Sequence, residues 1–130
     1  IMFSGKLGIM QGRLSPPINN LIQHYPQDCW EKELQLCSKF GFECLEWIFE
    51  FQNFRENALF NDRGIEKIKF LSKSNNVKIN SVVADYFMVN KLFNEKKNDL
   101  EKNIDVFKKL IFQCHKAGIP IIEVPFVDSS

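Results

Sequence analysis

The sequence is poor in the groups that most catalytic centres display. It has two histidines, His24 and His115, with no His-Glu-x-x-His spacing between them. No Gly-x-Ser-x-Gly elbow and no lysine-bearing phosphate loop occurs. The four cysteines, Cys29, Cys37, Cys44 and Cys114, form no Cys-x-x-Cys pair. That removes the zinc-ribbon and thioredoxin patterns. No apolar run reaches the ~18 residues needed to cross a bilayer, and no signal-peptide pattern opens the chain. Charge of one sign is also missing: 17 basic residues stand against 16 acidic, for a net charge of +1. Attraction to nucleic acid or to an anionic membrane therefore has no electrostatic basis. Free cysteine reads as a small core residue in a reducing cytoplasm.

What is present is apolar bulk. Of 130 residues, 45% are hydrophobic and thirteen are phenylalanine. A chain of this length buries a core of its own, and this one has a large aromatic area to cover. The two histidines read as solvated or capping residues. The first residue is Ile1 and not Met, which suggests a partial reading frame.

Apolar runs alternate with amphipathic ones. Lys6–Met10 is a short strand, ended by Gly12 and by Pro16-Pro17. A long loop follows to about Pro26. Asp28 and Glu31 have the spacing of a capping box, and Trp30, Leu34 and Cys37 form the helical stripe behind it. Gly41 suits the left-handed position after that helix. Residues 42–49 read as strand two. Asn61 or Asp62 caps the next helix, Ile65, Ile68 and Leu71 are its buried stripe, and Asn75-Asn76 ends it. Residues 77–84 are strand three. The longest helix spans Lys97–Ala117, with a stripe at Leu100, Ile104, Phe107, Ile111 and Cys114. Gly118 stops it, and strand four begins at Ile119.

A repeat supports this reading. Lys39–Glu46 aligns with Lys116–Glu123 at a constant offset, matching Lys, Gly, a large apolar residue and the final apolar-Glu pair. One helix-to-strand corner is used twice. The order is βαβαβαβ, four strands and three main helices, which makes a parallel α/β sheet. Both a doubly wound sheet and half of a (β/α)8 barrel fit that order. No Gly-x-Gly-x-x-Gly follows strand one, so dinucleotide chemistry is disfavoured. The long loops all follow strands, where a barrel keeps its active site.

In a barrel the strand ends converge. Gln11 and Arg13 follow strand one, Glu46 lies near the end of strand two, Asp85 and Tyr86 follow strand three, and Asp128, Ser129 and Ser130 follow strand four. Arg13 is either a clamp for a carboxylate or phosphate or the partner of a nearby acid. Glu46 sits within an apolar strand, so it is either paired or functional. Asp85 is a site residue or a turn former. Trp47, Tyr86 and Phe87 are core, or the wall of a sugar-sized pocket. Glu123 repeats Glu46, but more of its strand follows.

Residues 7–17 (LGIMQGRLSPP), 41–47 (GFECLEW), 79–87 (INSVVADYF) and 124–128 (VPFVD) together resemble the sugar phosphate isomerase/epimerase family, of the xylose isomerase-like TIM-barrel superfamily. The resemblance runs over the whole chain and over the first half of the family's barrel. It implies isomerisation or epimerisation of a sugar or sugar phosphate by proton transfer through an enediolate. Glu46 and Asp85 are then the catalytic candidates. Gln11, Arg13, Trp47, Tyr86, Asp128 and Ser129 are the candidates for holding substrate. The resemblance also implies a divalent metal (Mn, Mg, Zn or Co), with ligands on later strands outside this chain. The expectation is an N-terminal half that is inactive alone and binds neither nucleic acid nor membrane. Its open edge strands invite pairing into a homo-oligomer.

Overall fold

A computed structural model describes residues 6–127; Asp128, Ser129 and Ser130 lie outside the described residues. Four strands form one all-parallel sheet: β1 (Gly8–Met10), β2 (Cys44–Ile48), β3 (Lys78–Val83) and β4 (Ile121–Glu123). Four helices intervene: α1 (Trp30–Lys39), α2 (Asp62–Asn75), the single turn α3 (Tyr86–Val89) and α4 (Lys97–Ala117). Two 3-10 turns, Phe54–Glu56 and Ala58–Phe60, fill the loop after β2.

The strand order is β1-β2-β3-β4. Crossovers between parallel strands are right-handed, so consecutive order puts every main helix on one face. The helices agree, since α1 packs on α2 and α2 on α4. A doubly wound sheet would split them between two faces. The fold is the parallel β/α half of a barrel.

The two faces of the sheet differ accordingly. Leu45, Trp47 and Phe49 point to the helices and are fully buried. Paired residues in a parallel sheet point the same way, so Met10, Glu46, Ser81 and Ile121 form one row on the opposite face. Among the described residues no helix lies over that face, and Ile121 is 57% exposed. Asn80 is the extra residue of a bulge between the Leu45–Ile79 and Glu46–Ser81 pairs.

All three main helices end alike. The N–H groups of Gly41 and Phe42 bond back to Ser38 and Cys37, those of Asn76 and Val77 to Lys73 and Ser72, and those of Gly118 and Ile119 to His115 and Cys114. Gly41, Asn76 and Gly118 have φ of 81°, 53° and 74°. This is the Schellman closure, and each instance turns a helix into the next strand.

Two expectations need correction. Asp28 and Glu31 make no capping box. Cys29 is the N-cap and no side chain caps it, because a turn closed by Cys29 N–H on Pro26 O leads into the helix instead. Glu31 pairs with Lys67 of α2. The buried face of α4 is also rotated from the expected stripe. Asn103, Leu110, Gln113 and Cys114 are buried, whereas Ile111 is 47% exposed. Gln113 Nε2 donates to Leu59 O and Asn103 Nδ2 to Lys91 O. Two loop carbonyls thus turn polar side chains inward, which apolar periodicity does not register.

Candidate active site at the strand mouths

The residues after β1 form a loop wrapped around a buried carboxylate. Glu33, one turn into α1, is fully buried. Its Oε1 accepts from Gly12 N at 2.6 Å and from Leu14 N at 3.4 Å, and its Oε2 from Ser15 Oγ at 2.6 Å. Gly12 has φ of 89°, and a Cβ there would meet the carbonyls of Ile22 and His24 at 2.7 Å. No other residue fits that approach. Glu33 also adds to burial in pushing the Cys37 thiol up to about 11.

Gln11 extends the sheet. Its backbone N–H donates to Glu46 O at 2.8 Å, and its side-chain Oε1 accepts from Ile48 N at 2.9 Å. The side chain takes the place of main chain where β1 turns away. It is fully buried, so its placement is in the sheet and not on an open surface.

Arg13 is exposed. Its Nη2 reaches Gln23 Oε1 at 3.4 Å, and Gln23 Nε2 donates to Asp85 Oδ2 at 2.8 Å. Among the described residues Arg13 forms no ion pair. One glutamine thus joins the guanidinium after β1 to the carboxylate after β3.

Glu46 lies between these points on the open face of β2, where Ser81 Oγ donates to its Oε2 at 2.6 Å. The fold brings Arg13, Glu46 and Asp85 to one mouth. Burial holds the Asp85 carboxyl above the usual carboxylate range; the Gln23 hydrogen bond opposes this and the charge of Glu46 adds to it. Glu50, just past β2, is a third carboxylate there. Burial raises it also, the Tyr25 N–H bond and His24 oppose, and Asp85 adds.

The aromatic candidates lie in the core. Trp47 is fully buried on the helix side, against Tyr25 and Trp30, with Nε1 donating to Asn57 Oδ1 at 2.9 Å. Tyr25, Trp30 and Asn57 enclose it. Tyr86 packs its ring among Phe49, Phe51, Phe54 and Phe87. It still lines a cavity of about 550 Å³ with Arg55, Asn90 and Lys102. Burial raises its hydroxyl, with Arg55 opposing. Phe87 is buried.

Sequence reasoning passed over Glu33, Glu50, Gln23 and Asn57. Only Glu33 carried a signal: it stands three residues after Trp30 and beside Leu34, on the apolar face of α1. Asn57 ties β2 to its loop, donating from Nδ2 to Ile48 O and accepting from Trp47 and Leu59 N. His24, read as solvated or capping, is only 5% exposed. It lines a cavity of about 400 Å³ with Tyr25, Pro26 and Glu50.

Among the described residues no three His, Cys, Asp or Glu side chains are grouped so as to hold a metal ion. The divalent metal that the resemblance implies would take its ligands from later strands outside this chain. Among the described residues no helix is long and apolar enough to cross a membrane. No protein-family model and no curated protein matches the chain.

Proposed function

We propose that this chain forms the β1-to-β4 wall of a sugar or sugar phosphate isomerase/epimerase. The observation that carries the reading is the convergence of Arg13, Glu46 and Asp85 at neighbouring strand mouths, with Gln23 joining two of them. A carboxylate with raised proton affinity is a stronger general base than an ordinary one. In the proposed reaction Asp85 removes the proton from the carbon next to a carbonyl. The C–H electrons become the double bond of an enediolate, and the carbonyl oxygen takes up the charge. For isomerisation the protonated carboxyl returns its proton to the former carbonyl carbon while the hydroxyl proton of the deprotonated carbon passes to the former carbonyl oxygen; for epimerisation water delivers a proton to the opposite face of the same carbon and Asp85 releases its own to solvent. Glu46, oriented by Ser81, faces the second carbon. Arg13 offers its donor fork to a hydroxyl or a phosphate.

Titration of the ¹⁵N-labelled chain with xylulose and with xylulose 5-phosphate tests this. Amide shifts at Gly12, Arg13, Ser81 and Asp85 are expected, with dissociation constants of about 1 mM, a weak but measurable affinity. Arg13→Ala should weaken the phosphate ester about tenfold, ~1.4 kcal/mol, and the free sugar less. No shift at these residues with either compound at tens of millimolar would contradict the reading.

A further inference from the structure

We infer that two copies of this chain associate about a two-fold axis, each closing the other's half-barrel, so that the site at the strand mouths is built from both. The inference rests on strand order and register, not on sugar chemistry.

Among the described residues the sheet has two free edges, one on β1 and one on β4. Both strands run in the same direction as the rest. A two-fold axis along the strands sets β4 of one copy beside β1 of its partner, parallel, and does so twice. Eight parallel strands then close with no edge left.

Register supplies the independent argument. Glu46 aligns laterally with Ser81, and Ser81 with Ile121. The sequence repeat, however, matches Glu46 with Glu123, and their Schellman corners at Gly41 and Gly118 share the same offset. Equivalent positions therefore climb two residues over two strands. Continued around the ring, that is a stagger of about eight residues, the shear of an eight-stranded parallel barrel.

Closure with this stagger pairs Ile121, Ile122 and Glu123 of one copy with Lys6, Leu7 and Gly8 of the other. Three further observations suit that register. Leu7 O accepts from Glu43 N and Gln11 N donates to Glu46 O, so the odd residues of β1 turn to β2 and Gly8 turns to the free edge. Glu123 O accepts from Ala84 N, which leaves Ile122 turned to the free edge of β4. The free groups of Ile122 thus face those of Lys6 and Gly8, as a parallel ladder requires. Leu7 and Ile121 are 62% and 57% exposed at these edges, and pairing covers both. Lys6, on the uncovered face with Gly8 and Met10, comes diagonally beside Glu123, opposite in charge. Each copy then sets its Glu46 and Asp85 at one shared mouth.

Light scattering on the eluting chain at about 50 μM, with Leu7→Cys and Ile122→Cys combined in a Cys29→Ser background, tests this. A dimer is expected, and oxidation should join it covalently. Within one copy the two positions lie at opposite edges of the sheet, roughly 14 Å apart across three strand spacings, beyond the reach of a disulfide. Ile122→Pro removes an edge N–H that β3 does not use. It should yield a monomer with the circular dichroism of the parent. A monomeric parent at 50 μM overturns the inference. So does an oxidised ladder of higher oligomers, which means the ring does not close. Bridging through Ile9→Cys with Ile122→Cys, in place of Leu7→Cys, overturns the register. A dimer that binds no sugar leaves closure standing and removes only the proposed function.

Discussion

Individual residues at the mouth divide into those that build the loop and those that face solvent. Glu33 builds. Replacing it with Ala removes the acceptor for Gly12 N–H and Ser15 Oγ–H. Each buried donor left unpaired costs ~1–3 kcal/mol, so about 3 kcal/mol of stability should be lost. Glu33→Gln keeps one oxygen and should lose less. Urea unfolding with amide exchange at Gly12 measures both, and a loss under about 0.5 kcal/mol for Glu33→Ala would show that the loop does not depend on this anchor. Asp85 and Glu50 are half-buried. Burial raises both carboxyls, so the folded chain holds these protons more tightly than the unfolded one. The stability they contribute is present at acid pH and falls as pH rises from the ordinary carboxylate range through their raised values. Asp85→Asn removes that loss and keeps an acceptor for Gln23. Its stability relative to the parent should therefore increase between pH 4 and pH 8 in urea midpoints. A relative stability that decreases over that interval would show that Asp85 is held as an anion by a partner stronger than Gln23.

At the level of elements, the helix ends are the most legible part of the chain. Gly41, Asn76 and Gly118 announced three stops by residue type alone, because few side chains tolerate positive φ. A Cβ at Gly41 or Gly118 would meet nothing within 4 Å, so strain there is purely conformational. Gly118→Ala should cost about 1 kcal/mol and Asn76→Gly should gain a few tenths, both read from thermal midpoints. Gly64 inverts the case. It lies in the first turn of α2, where a Cβ would collide with the Ala58 carbonyl. Gly64→Ala should cost more than Gly118→Ala although alanine favours helix; the opposite order would mean that the loop at Ala58 yields freely. Elements held by long-range polar contacts were not legible. The rotation of α4 follows from Gln113 and Asn103 reaching loop carbonyls. The start of α1 follows from a turn at Pro26, so the Asp28–Glu31 spacing carried no structure. Candidate residues show the same division. Strand ends placed Glu46 and Asp85 at one mouth. Trp47 went to the core because a period of two fixes which residues share a face, not which face is covered.

For the whole molecule, the governing fact is a parallel sheet with helices, among the described residues, on one side only. Such sheets are ordinarily covered on both faces or closed into a ring, and here one face carries Met10, Glu46, Ser81 and Ile121 without cover. The central strands β2 and β3 bond on both sides, whereas β1 and β4 each bond on one. Local opening free energies should follow that order. Amide exchange at low concentration is therefore expected to be slowest at Leu45, Trp47 and Val82, and fast at Gly8 and Ile122, whose N–H groups face the free edges. Association acts on the edges alone. Raising the concentration from about 1 μM to 100 μM should slow exchange at Gly8 and Ile122 together, with stabilisation growing as mass action dictates. Leu45 exchanges through global unfolding, so it should slow only in so far as dimer formation stabilises the whole fold. If Gly8 and Ile122 exchange at one rate across that range while the central strands stay protected, the edges are open in solution. The half-barrel is then a stable unit whose uncovered face remains free for other cover.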